Sequence, residues 1–169
     1  MTRTYKTEGI VIKRVNFGEA DRILTIFTKH YGKIKAIAKG VRKVTSRKGG
    51  NLELFNQVIL FLSEGKNWDI ITEAEAVNSF ENLRKNLTFV GRAFQIAEVV
   101  DRLTAEREES RKVFELLIEA LSGKKNVKEF EIELLKELGF GLPKDLSEKS
   151  VVHFIESIIE KKLKSKKIW

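Results

Sequence analysis

Cysteine is absent from the 169 residues, which excludes disulfides, thiolate zinc sites and thiol nucleophiles and fits a reducing compartment. Histidine is nearly absent: His30 and His153 lie far apart, with no carboxylate pattern beside them that would complete a metal site, and both read as surface or partly packed side chains. The single proline, Pro143, falls in a linker before the last helical segment. Long apolar runs are missing too. The longest, residues 58–62, is far too short to cross a bilayer. The opening MTRTYKTEG carries no apolar stretch of the kind a secretory signal needs, so a cytoplasmic protein is expected. No repeat or low-complexity segment occurs.

Acid is scarce in one place only. Residues 1–50 hold 13 Lys/Arg against 3 Asp/Glu, a balance of +10, whereas residues 51–169 hold 19 against 21, a balance of −2. The net charge of +8 therefore belongs to the first third of the chain, as expected when one surface meets a polyanion. An anionic membrane is the competing partner, but that third contains no basic amphipathic helix.

What is present begins with short alternating segments. Residues 5–14, 22–28, 33–39, 55–63 and 68–72 read as five strands, separated by turn material such as Asn16-Phe17-Gly18, Tyr31-Gly32 and Glu64-Gly65-Lys66-Asn67. In the third, Ile34, Ala36 and Ala38 share one face, and Lys33, Lys35, Ile37 and Lys39 share the other. The fourth is almost continuously apolar, as expected of a strand covered on both faces. The basic loop at residues 40–50, with Arg42, Lys43, Arg47, Lys48 and no acid, makes a long third-to-fourth connection. That pattern suits a small closed barrel of oligonucleotide-binding (OB) type, with an SH3-like barrel or an open sheet as alternatives.

Near residue 76 the period changes to three or four. Phe80, Leu83, Leu87, Val90, Phe94, Ala97 and Val100 mark one or two amphipathic helices. Further helices carry Phe114, Leu117 and Leu121 up to Gly123, and Phe130, Leu134 and Leu138 up to Gly139. Ser147 caps a last one bearing Val151, Ile155, Ile159 and Leu163, which ends in Lys161, Lys162, Lys164, Lys166 and Lys167. The expected architecture is α+β in two domains: an N-terminal five-stranded OB-fold β-barrel over residues 1–79 and an all-α helical domain over 80–169.

The residues expected to contact nucleic-acid phosphates are Lys33, Lys35, Lys39, Arg42, Lys43, Arg47 and Lys48, flanked by Lys13, Arg14 and Arg22. Phe17, Tyr31 and Trp68 are the aromatics available for base stacking, or equally for packing within the barrel. Arg47-Lys48-Gly49-Gly50 lacks the spacing of a nucleotide P-loop and reads as a turn. Glu19 and Asp21 beside Arg22 fit a solvated turn better than an acid–base pair. No catalytic residue, cofactor or metal is expected.

An ordered series of motifs resembles the bacterial recombination mediator family RecO. In the barrel these are Thr7-Glu8-Gly9-Ile10, Gly18-Glu19-Ala20-Asp21-Arg22-Ile23, Phe27-Thr28, Tyr31-Gly32-Lys33, Ala38-Lys39-Gly40 with Arg42, and Gly49-Gly50 before Leu52. Downstream come Ile71-Thr72-Glu73-Ala74, residues 100–104, residues 114–117, residues 130–135 with Leu138-Gly139, and residues 161–168. The resemblance implies an OB barrel followed by helices. It implies binding of single- and double-stranded DNA, annealing of complementary strands, and recombinase loading onto DNA coated by single-stranded-DNA-binding protein. Its implied partners are RecR and the acidic C-terminal tail of the single-stranded-DNA-binding protein. Many members carry a cysteine-based zinc module where residues 141–148 stand here, so the chain reads as a short form without zinc. In the helical part the residues that would grip a partner do not match the family closely, and Arg92, Arg102, Arg107, Arg111 and Lys112 are candidate partner contacts by charge alone. An RNA-binding barrel, or an adaptor for acidic peptides, is the alternative function.

Overall fold

The computed structural model of the chain describes residues 2–160 and 163–167. The chain forms two compact units, Met1–Ser79 with Ala105–Ser110, and Phe80–Thr104 with Arg111–Trp169.

The first unit is a closed barrel of β1 (Thr4–Phe17), β2 (Asp21–Thr28), β3 (Gly32–Ala38), β4 (Gln57–Ser63) and β5 (Asp69–Asn78), in the order β1-β2-β3-β5-β4. Among these five strands β3 and β5 run parallel and the other neighbours antiparallel. This is an OB-fold barrel. The alternation of β3 sets its faces: Ile34, Ala36 and Ala38 point into a core shared with Leu24, Ile26, Val58, Leu60 and Ile71. Each fully buried Leu, Ile or Val contributes about 1.5–3 kcal/mol.

Three strand boundaries differ from the sequence pattern by two residues or more. Asn16 and Phe17 extend β1, and the turn starts only at Gly18, with φ 61°. β4 begins at Gln57 because Phe55 has φ 73° and its N–H donates to the Val11 carbonyl at 2.8 Å. Its outer face is not covered, since Phe61 is 40% exposed. β5 runs on to Asn78, paired with β4 through two register shifts that a period-2 reading misses.

The second unit has a 3-10 turn (Glu81–Lys85), then α1 (Leu87–Leu103), α2 (Arg111–Leu121), α3 (Val127–Leu138) and α4 (Glu148–Ile159). The Asn86, Asn126 and Ser147 side chains accept from N–H groups of the first turns of α1, α3 and α4, and Gly139 ends α3 at φ 79°. Phe114, Leu116, Phe130, Leu134, Val151 and Ile155 are fully buried. α4 ends at Ile159, earlier than its apolar pattern suggests, with Glu160 left-handed. Lys164–Lys167 instead form a 3-10 turn, anchored where the Ser165 N–H and hydroxyl donate to Glu98 at 2.9 and 2.7 Å. The expected helical end at Lys161 and Lys162 lies outside the described residues.

Candidate nucleic-acid interface

Strand register builds the outer face of the barrel in rows. Lys13 pairs with Thr25 and Thr25 with Lys35, giving two exposed lysines on one row. The next row is apolar: Val15, Ile23, Ile37 and Ile70 are successive partners across β1, β2, β3 and β5. Beyond it Phe17 meets Trp68 edge-on, with ring centroids 5.3 Å apart. Lys39, the first residue past β3, is exposed at the same end. The acids on the strands fall in other rows, Glu8 and Glu75 both pairing with Ile59 and Glu73 with Phe61, while Glu106 reaches Lys35 from outside the strands. Glu8 and Lys13 share β1, so the lysine row and the acidic rows are separated by register along the strands.

The expected phosphate contacts separate into groups. Lys13, Lys35 and Lys39 stand on the outer face or at its end, and Lys43 and Arg47 are exposed on the basic loop. Arg14 registers with core residue Leu24 and forms an ion pair with Glu53 at 3.1 Å. The Arg22 Nε donates to Asn16 Oδ1 at 3.2 Å, and Lys48 Nζ to the Ile71 carbonyl at 3.4 Å. Arg42 is a clasp: its guanidinium donates to the Gly18 and Asp21 carbonyls, while its N–H donates to the Ala20 carbonyl at 2.9 Å. Asp21 completes the clasp by accepting from the Gly40 N–H at 2.7 Å, which accounts for this acid in the turn. Lys33 has to be withdrawn from the surface set. It is only 6% exposed, and its carbonyl accepts from the Arg107 N–H at 3.0 Å.

Arg107 belongs to the segment Ala105–Ser110, which forms part of the barrel unit. Glu106 bridges β3 at Lys33 in parallel sense, and its carboxylate lies 3.4 Å from Lys35 Nζ. The Arg107 guanidinium sits 2.9 Å from Asp69, which is buried and also accepts from the Tyr5 hydroxyl. Arg107 is thus engaged by the barrel and is not the free partner contact its charge suggests. Arg92 lies 5.7 Å over the Phe89 ring, and Arg111 is 3.6 Å from Glu115. Tyr31 packs on Tyr5 at 4.9 Å and is partly buried against the core, which removes it from the stacking set. Sequence reasoning missed Tyr5, Asp69 and the apolar row. All three depend on contacts between distant strands, and no local signal marks them.

Burial, followed by the hydrogen bond to Asp69, raises the Tyr5 pKa above its ordinary 10.0, against the opposing pull of Arg107. The fold therefore favours the neutral phenol. Its contribution is complete below pH 10 and drains away as the pH climbs past that value. Ultraviolet titration of tyrosinate in a Tyr31→Phe background should find Tyr5 still protonated beyond pH 10 until the barrel unfolds. A midpoint at the ordinary value would mean the hydroxyl is in water.

No group of three or more His, Cys, Asp or Glu among the described residues is arranged to hold a metal ion. None of their helices is long and apolar enough to cross a membrane.

Residues 1–80 match the family model described as "Recombination protein O N terminal". The chain is 38% identical over 145 residues to a DNA repair protein RecO of Roseiflexus sp. (strain RS-1), covering 82% of this chain and 51% of that one. The barrel belongs to the RecO N-terminal family. RecO of Pelotomaculum thermopropionicum is 39% identical over 119 residues, covering 70% of this chain and 46% of that one. RecO of Nocardioides sp. (strain ATCC BAA-499 / JS614) is 44% identical over 119 residues, covering 69% and 49%. The chain spans about half the length of the curated RecO relatives it matches.

Proposed function

We propose that this chain is a non-enzymatic DNA-binding recombination mediator of DNA repair. The observation that carries the reading is the placement of Lys13, Lys35, Lys39, Lys43 and Arg47, exposed on one barrel face and the adjoining loop. Cations held on a rigid sheet neutralise phosphates and release their counterions, and two strands screened in this way can approach and anneal. Arg14, Arg22, Arg42 and Lys48 support that surface by fixing the turns and the loop. The helical unit is the docking part, with RecR and the acidic tail of the single-stranded-DNA-binding protein as its partners and recombinase loading as the outcome. A cytoplasmic, nucleoid-associated setting follows from those partners.

The test is a titration with matched single-stranded and duplex DNA at about 50 and about 200 mM salt. Five phosphate contacts predict an affinity that falls roughly a hundredfold for the single strand and roughly five-hundredfold for the duplex over that range. Equal binding of an acidic peptide, with no oligonucleotide preference, would replace this reading by the adaptor. A strong preference for RNA of equal length would point to recognition of the 2′-OH instead.

A further inference from the structure

Phe17 is 45% exposed and Val15 52%, although both stand in a barrel whose other apolar side chains are largely inside. The Val15 row continues through Ile23, Ile37 and Ile70, and beyond it Phe17 makes ring contact with Trp68. Two connections meet there: the β1–β2 turn, entered from Phe17, and the β4–β5 turn, which ends at Trp68. The second turn folds closely against the backbone of Trp68. A Cβ on Gly65 would lie 2.2 Å from the Trp68 carbonyl oxygen, and the Gly65 N–H points to Asp69 at 3.5 Å.

Charge surrounds this apolar row on both sides. Along β3 the outer face reads Lys35, Ile37 and then Lys39 just past the strand, so two exposed cations about 13 Å apart bracket an apolar position. A second protein docking through an apolar patch would have to cover those lysines. A polyanion with flat apolar groups between its charges satisfies both features at once. Unpaired nucleic acid has that chemistry, whereas a duplex keeps its bases stacked inside.

We infer that Phe17 and Trp68 form a stacking platform for unpaired nucleobases, so that the barrel distinguishes single strands from duplex. The inference rests on the DNA-binding reading and adds the base contact to it. Phosphate contacts act on both forms of DNA, and stacking acts on one.

The experiment compares oligo-dT and a duplex of equal length, with Trp169 replaced by Phe so that Trp68 is the only indole. Oligo-dT should quench Trp68 fluorescence on saturation, and duplex should leave it nearly unchanged. Trp68→Ala should weaken oligo-dT binding about tenfold and duplex binding by less than about twofold, with Trp68→Phe restoring most of the loss. Quenching in the Trp169→Phe chain keeps the test valid if Trp68→Ala folds poorly. Salt-sensitive binding of both DNAs, without quenching and without selective loss in Trp68→Ala, overturns the platform and leaves the phosphate surface standing. Failure of the parent chain to bind either DNA overturns the DNA-binding reading and the platform with it.

Discussion

Gly32→Ala should cost the barrel about 3–4 kcal/mol, far more than most single substitutions. Gly32 has φ +67°, and a Cβ there would sit 2.2 Å from the Glu108 carbonyl oxygen and 2.5 Å from its carbon. Both are backbone atoms, so no side chain can swing aside. Left-handed geometry alone costs roughly 1–2 kcal/mol for a non-glycine residue. The remainder comes from displacing residues 105–110. That displacement breaks the Arg107 N–H bond to Lys33 and the ion pair of Arg107 with Asp69. Gly18→Ala is the matched control, because Gly18 has φ +61° with nothing within 4 Å of the added Cβ. Thermal melting should lower Tm by roughly 6–16 °C for Gly32→Ala, and by only a few degrees for Gly18→Ala. Equal losses would mean that the segment does not lie over Gly32.

That contact also shows where the sequence stops being legible. The faces of β3 can be read directly, since alternation of Ile and Ala with Lys is a local property of seven residues. Gly32 likewise reads as a turn residue. Its second role, leaving room for Glu108, joins positions seventy-six apart, and no composition or spacing carries it. The apolar row has the same difficulty. Val15, Ile23, Ile37 and Ile70 are unremarkable strand residues until four registers align them, and the β1 bulge between Val11 and Lys13 shifts one of those registers. The basic loop was visible as charge, yet charge does not reveal use. Arg42 and Arg47 look alike in sequence, but only Arg42 has the Gly18 and Asp21 carbonyls within reach. Lys33 departs from its exposed neighbour Lys35 for a related reason. Its face was right, but burial on that face is decided by a segment more than seventy residues downstream.

The different use of similar cations gives the second large effect. Reversing Lys39 and Lys43 together should reduce DNA affinity roughly ten- to a hundredfold at moderate salt, across unrelated sequences. Both side chains are exposed, one at the end of the outer face and one on the loop. Losing two phosphate contacts should flatten the plot of log affinity against log salt by about 1.8 for duplex and about 1.4 for a single strand. The two substitutions should leave Tm almost unmoved, because neither residue lies in the core of the barrel. Arg42→Ala should behave in the opposite way. It removes the donors that tie the β1–β2 turn to the basic loop, so it should cost about 1–2 kcal/mol of stability. Its salt slope should stay close to that of the parent chain, since the guanidinium is already committed to carbonyl oxygens. A flattened slope in Arg42→Ala, with an unchanged slope in the Lys39 and Lys43 reversal, would exchange the two roles and move the phosphate path from the outer face to the turn.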